Sequence, residues 1–148
     1  MNAYVGADGS KQSAGMHDTM LNVDCTFATM SDGALHCIPT TTGLAPTTGK
    51  LGFFADSACT QVVASTLSGC AMPQYASGSL SSGGCPYSPT WHVFPVQGAF
   101  TGTSVYTMSG TTCSSTGTPV TSFPEYQLYT VGAELPPSNF VQATVQTQ

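Results

Sequence analysis

The chain has 148 residues, a length that fits one domain, and 41% of them are apolar while only 6% are charged, against roughly a quarter charged in an ordinary soluble domain. Lys11 and Lys50 are the only basic side chains and the net charge is −5, so nothing is present to neutralise phosphates, which argues against nucleic-acid and anionic-lipid partners. No apolar run approaches the roughly 20 residues of a membrane helix, and near-normal hydrophobicity with low charge is the opposite of a disordered composition.

In chain order, Met1 to Gly6 enters an extended run at once, without the basic segment and longer apolar stretch of an export signal. A leader, and any earlier sequence, is therefore expected to lie outside this chain. Short runs rich in Val, Thr, Tyr and Phe predict strands at about 3–6, 23–30, 34–39, 51–55, 61–66, 91–96, 104–108, 126–132 and 139–146. Turn chemistry separates them: Ala7-Asp8-Gly9-Ser10, Ser31-Asp32-Gly33, Thr48-Gly49-Lys50, Ser68-Gly69, Ser82-Gly83-Gly84, Ser109-Gly110 and Pro136-Pro137-Ser138. No window shows capped helical periodicity. The expected fold is all-β, with disulfide-stapled antiparallel sheets in a sandwich or propeller-like array and little or no helix.

Six cysteines stand at Cys25, Cys37, Cys59, Cys70, Cys85 and Cys113, successively 12, 22, 11, 15 and 28 positions apart. An even number in a small, charge-poor chain favours three disulfides; zinc usually needs close pairs such as C-x2-C, and there are none. Six cysteines allow fifteen pairings. The Asp32-Gly33 hairpin brings Cys25 opposite Cys37 or one residue off, so that bridge is sterically easy. Cys59 and Cys70 flank the excursion from Gln61 to Gly69, which leaves Cys85 for Cys113. The expected pattern is thus 25–37, 59–70 and 85–113.

A weak internal repeat of about 55 residues runs through this single expected domain, 1–148. Leu35-His36-Cys37-Ile38-Pro39 matches Trp91-His92-Val93-Phe94-Pro95, and Phe53-Phe54 leading to Cys59 matches Val105-Tyr106 leading to Cys113. The His are offset by 56 positions and the Cys by 54. A third, decayed copy begins at Gln127. Such a period suggests two or three degenerate sheet units stacked together.

Several motifs together give the chain a family likeness. They are Gly15-Met16-His17-Asp18, Val23-Asp24-Cys25-Thr26-Phe27, Ser31-Asp32-Gly33 with Cys37-Ile38-Pro39, Phe54-Ala55-Asp56-Ser57-Ala58-Cys59-Thr60-Gln61, and Val131-Gly132-Ala133-Glu134-Leu135-Pro136-Pro137-Ser138. On these the chain resembles an uncharacterised cysteine-bearing domain of predicted exported proteins and lipoproteins of myxobacteria. It departs from that pattern at Met16, where a Trp is usual, and in its scarcity of basic residues. The resemblance implies export and an envelope or extracellular home, and carries no activity.

Chemistry is sparse. No G-x-S-x-G elbow accompanies the abundant Ser, and no D-x-D-x-D-G run suggests calcium. His36 and His92 occupy matching repeat positions and are each expected to pack on a strand face with the polar tip satisfied by a carbonyl. His17-Asp18, with Asp24 nearby, is the pair best placed to orient a ligand, hold a metal or centre a hydrolase. Asp8, Asp32 and Asp56 sit in turns, and Asp24 and Glu134 at strand edges, so no carboxylate pair announces a glycosidase. Trp91 and Tyr87, beside Pro86 and Pro89, are the candidate sugar-stacking aromatics. No cofactor is expected. The first functional expectation is an exported, non-catalytic structural or adhesion-type surface module. A carbohydrate or other ligand-binding domain comes second, and a hydrolase centred on His17 and Asp18 third. Glycan or another surface protein is the expected partner class, and self-assembly through Thr-rich sheet edges is open to it.

Overall fold

The structure is a computed structural model, and it describes residues 2–9, 11–40, 42–44, 52–81, 89–109 and 111–144. Its strands are β1 (Asn2–Val5), β2 (Lys11–Asp18), β3 (Val23–Thr29), β4 (Leu35–Pro39), β5 (Thr42–Leu44), β6 (Phe53–Phe54), β7 (Val62–Leu67), β8 (Tyr75–Ser81), β9 (Pro89–Ala99), β10 (Ser104–Ser109), β11 (Thr112–Pro119), β12 (Tyr126–Val131) and β13 (Gln142–Ala143). The helical content among the described residues is two short 3-10 turns, Val120–Ser122 and Pro137–Asn139. The all-β, disulfide-stapled, antiparallel architecture is thus as expected. Among the described residues no helix is long and apolar enough to cross a membrane.

Two sheets are formed. One has five strands in the order β1-β2-β3-β4-β13, and the other eight in the order β11-β10-β6-β7-β12-β9-β8-β5. The larger sheet bends back on itself. Strand β5 pairs with β8 (Gly43 opposite Ala76, in parallel) and also with β7 (Leu44 opposite Ser65, antiparallel). The ring β7-β12-β9-β8-β5 is therefore closed, a five-stranded barrel with β6, β10 and β11 continuing from its β7 side.

The alternation of side chains along each strand sorts the apolar residues into three clusters. One set of alternate positions forms a cluster of Ala64, Ala76 and Tyr129 with Val62, Phe94, Val96 and Val131. Its members all belong to the closed ring, and Ala64 and Ala76 have no exposed surface; this is the barrel interior. The other set faces outward. Tyr75 and Val93 pack with Met30, Ile38 and Phe140 to hold the five-stranded sheet against the barrel. Val63 and Leu128 pack with Phe53 and Val105 beneath the extension.

Some strands are missed by composition. Beside the bulky Phe94 and Tyr129 of the interior, β8 contributes the small Ala76, and β8 (Tyr-Ala-Ser-Gly-Ser-Leu-Ser) lacks the β-branched residues that mark a strand. β2, β5 and β11 are missed for similar want of Val, Ile or aromatic residues: Ser, Thr and Gly dominate β5 and β11, and β2 reads Lys-Gln-Ser-Ala-Gly-Met-His-Asp. Of the run expected over 139–146, residues 145 and 146 lie outside the described residues; in the rest, Gln142–Ala143 is strand, after a 3-10 turn whose approach Pro136 and Pro137 fix.

The first disulfide is the expected one. Cys25 and Cys37 are bonded, 5.3 Å apart at Cα, across the hairpin whose turn Gly33 completes with φ +78°. The pairing register differs from expectation: Cys25 stands opposite Pro39 and Cys37 opposite Phe27, so the bridge is diagonal. The pairs 59–70 and 85–113 are overturned. Cys59 is bonded to Cys113, with Cα atoms 5.7 Å apart. The strand expected over 61–66 is what forbids 59–70, because an extended run of six residues holds its two ends roughly 20 Å apart. β6 instead lies beside β10, with Phe54 opposite Tyr106, which brings the loop after β6 to the start of β11. Cys70 is free and exposed, and Cys85 lies outside the described residues. The two bonded cysteines, 59 and 113, are the pair that the internal repeat aligns.

Candidate functional site

β2 places His17 and Asp18 on opposite faces of the five-stranded sheet, because successive side chains in a strand alternate. His17 stands directly opposite Asp24 on β3. Its Nδ1 lies 2.9 Å from Asp24 Oδ1, and its Nε2 lies 3.2 Å from Asn22 Oδ1. The Asp24 carboxylate, and after it the Asn22 carbonyl, raise the His17 pKa above the ordinary 6.5. Both ring nitrogens are occupied, so neither is open to a hydroxyl nucleophile. Asp18 turns inward instead and is 2% exposed. Its Oδ1 accepts from the Met20 and Leu21 amides at 2.8 and 3.1 Å, closing the β2–β3 turn, while Oδ2 is buried without a partner. The two residues therefore do not converge on one ligand. Among the described residues no three His, Cys, Asp or Glu side chains are grouped to hold a metal ion.

The other two histidines are also paired with acids. His36 is buried; its Nε2 lies 2.8 Å from Asp32 Oδ2 and its Nδ1 3.3 Å from the Phe140 carbonyl. Both partners are acceptors. The Asp32 carboxyl is held below its ordinary pKa, first by the Ala34 amide and then by His36. His92 Nδ1 lies 2.7 Å from Glu134 Oε1. Trp91 is half-buried and packs against the cluster of Met30, Ile38, Tyr75, Val93 and Phe140 shared by the two sheets. Tyr87 lies outside the described residues.

Two cavities open on the surface. The larger, about 690 Å³, runs between Val23 and Asp24 of β3 and the segment Cys70 to Gln74. Its walls are mainly apolar, and Leu67 and Met72 are exposed there. The smaller, about 420 Å³, is the mouth of the barrel, lined by Val62, Phe94 and Val131 from the interior and by Gln61, Gln97 and Glu134 at the rim. Barrel mouths are recurrent ligand sites, and this volume lies within the usual range of roughly 300–1,000 Å³.

Each rim residue has its own support. β9 and β12 are in register at Thr130 opposite Gly98 and at Val131 opposite Val96, so Gln97 is the extra residue of a β-bulge, a device that re-aims a side chain. A Cβ on Gly132 would lie 3.2 Å from the Gln97 Nε2 and 3.0 Å from the Pro95 ring; glycine at 132 leaves room for the amide. Glu134 is held by His92. Gln61 closes the Asp56 turn: Asp56 Oδ1 accepts from the Gln61 and Thr60 amides at 2.7 and 2.9 Å, and Oδ2 from the Thr60 hydroxyl at 2.7 Å. The Gln61 amide, followed by the Thr60 hydroxyl, keeps the Asp56 carboxyl below its ordinary pKa. The Cys59–Cys113 bond fixes the same loop, with Cys59 at φ +53°. Toward the other end of the ring, the Tyr129 hydroxyl donates to Gln127 Oε1 at 2.9 Å.

Sequence reasoning gave Gln61 and Gln97 no role and placed Glu134 only at a strand edge. The signal for Gln97 is a bulge, which has no sequence signature of its own. No known protein family matches the chain, and neither a curated protein nor a solved structure is significantly similar to it.

Proposed function

We propose that this chain is an exported, non-catalytic surface module of structural or adhesion type, at home outside the cell or in its envelope. The observation that carries the reading is the use made of the three histidines. His17, His36 and His92 are each held by a carboxylate, so the three imidazoles are tied to acids in cross-strand and turn contacts. Two disulfides suit an oxidising compartment, and the resemblance to exported cysteine-bearing domains points the same way. A hydroxyl-rich, charge-poor surface offers trypsin-like proteases two sites at most and is insensitive to salt.

The contact is better made by side chains than by strand addition. β11 is bulged, since Tyr106 stands opposite Ser115 but Ser104 opposite Pro119, with Gly117 at φ +70°. β13 has two residues and β1 an irregular register. Bulged and short edges resist pairing with another chain.

Beads coated with the chain should be retained under flow on polysaccharide- or protein-coated surfaces, well above beads coated with albumin. Retention equal to albumin on every surface, or hydrolysis of an ester, peptide or glycoside that disappears in His17→Ala, would overturn this reading.

A further inference from the structure

We propose that the mouth of the barrel is a binding site for a neutral polyhydroxylated ligand of the monosaccharide class. Gln61, Gln97 and Glu134 supply its polar contacts, and Phe94, Val62 and Val131 its apolar floor. This gives the adhesion-type reading a ligand class, and rests on that reading only in taking the saccharide to be carried on a surface.

The chemistry of the rim selects the ligand. Among the described residues the side-chain amides of Gln61 and Gln97 have no hydrogen-bond partner, and each offers one acceptor and two donor hydrogens. A sugar hydroxyl donates and accepts at once, so vicinal hydroxyls match such amides. Glu134 has Oε1 facing His92 at 2.7 Å, which leaves its second oxygen to accept from a hydroxyl. An apolar ligand would cover these polar groups without satisfying them. An anion would meet Glu134 and a chain of net charge −5. A cation would find the Glu134 charge already faced by an imidazole.

The floor fits the same class, because the C–H face of a pyranose is apolar and Phe94 presents an aromatic ring beside two valines. The rim is also set before any ligand arrives. The Asp56 turn, the Cys59–Cys113 bond, the Gln97 bulge and the space at Gly132 each fix one wall, and walls held in advance lower the ordering cost of binding.

The test is a titration of the ¹⁵N-labelled chain with neutral gluco-, manno-, galacto- and xylo-configured oligosaccharides, followed in ¹H–¹⁵N spectra. At least one should shift the side-chain amide signals of Gln61 and Gln97 and the backbone amide of Gly132 at millimolar concentration. In Gln97→Ala, with signal dispersion retained, affinity should fall about tenfold, one hydrogen-bonding group's worth. Gly132→Ala should weaken binding several-fold, and Gln142→Ala on β13 should leave it unchanged. The wild-type titration needs no variant to fold. Absence of shifts at these amides with every neutral saccharide, or shifts only with uronates or amines, would overturn the site. Bead retention that neutral oligosaccharides do not compete, and that survives Gln97→Ala, would overturn it while leaving adhesion intact. Amide shifts in the absence of bead retention would support the site and sink adhesion instead.

Discussion

The barrel and the strands outside it manage exposed backbone by different means. The five barrel strands carry no cysteine; their edges disappear because β5 pairs on both sides. Each open-edged part carries one disulfide, Cys25–Cys37 in the five-stranded sheet and Cys59–Cys113 where β6, β10 and β11 leave the ring. Closure satisfies backbone groups without covalent help, whereas a short open sheet gains from a cross-link that restricts its unfolded chain. Among the described residues, bonded cysteines therefore mark where the backbone is left open.

The largest effects should come from cutting those cross-links. Cys59→Ala with Cys113→Ala should lower the unfolding free energy by about 4 kcal/mol, and Cys25→Ala with Cys37→Ala by about 3 kcal/mol. Urea unfolding measures both. A loss below about 1 kcal/mol in either case would mean that the open sheets do not depend on their bridges.

The barrel should fail in another way, by overfilling. Ala76→Val adds two methyl groups at a position with no exposed surface, packed beside Ala64 and Tyr129, and should cost about 2 kcal/mol. Ala28→Val, on a partly buried face of the five-stranded sheet, should stay within about 0.5 kcal/mol. Equal costs at the two positions would show that the ring is no tighter than the open sheet.

The smallest effect belongs to the exposed pair on β2 and β3. The folded His17 pKa is raised, chiefly by Asp24. The pair's contribution is therefore fully present below the unfolded value, about 6.5, and is lost as pH rises through the higher folded value. Asp24→Asn should bring the His17 midpoint, read from its ring proton shifts, back toward that ordinary value with little change in Tm. A midpoint unmoved by Asp24→Asn would mean that the contact does not form in solution.

β3, β7, β9 and β12 were legible in the sequence because they carry Val, Phe and Tyr. β8 was not, since small residues such as Ala76 and Gly78 carry none of the usual β signal. The turn at Asp32-Gly33 gave away the first disulfide. The second depended on Phe54 meeting Tyr106, a pairing between strands 52 positions apart that local geometry does not encode. The candidate site was the least legible part. Gln61, Gln97 and Glu134 are ordinary surface residues until the ring closes and one extra residue in β9 turns Gln97 to the mouth.

The Cys59–Cys113 bond also governs how the chain answers a pull. Force applied to the segments on either side bypasses the residues between the two cysteines, which cover β7 to β10. About 190 Å of contour length, 54 residues at roughly 3.5 Å each, stays locked out of the extension, against only about 40 Å for Cys25–Cys37. Under tension three of the five barrel strands, β7, β8 and β9, stay inside a covalent loop that cannot be drawn out straight.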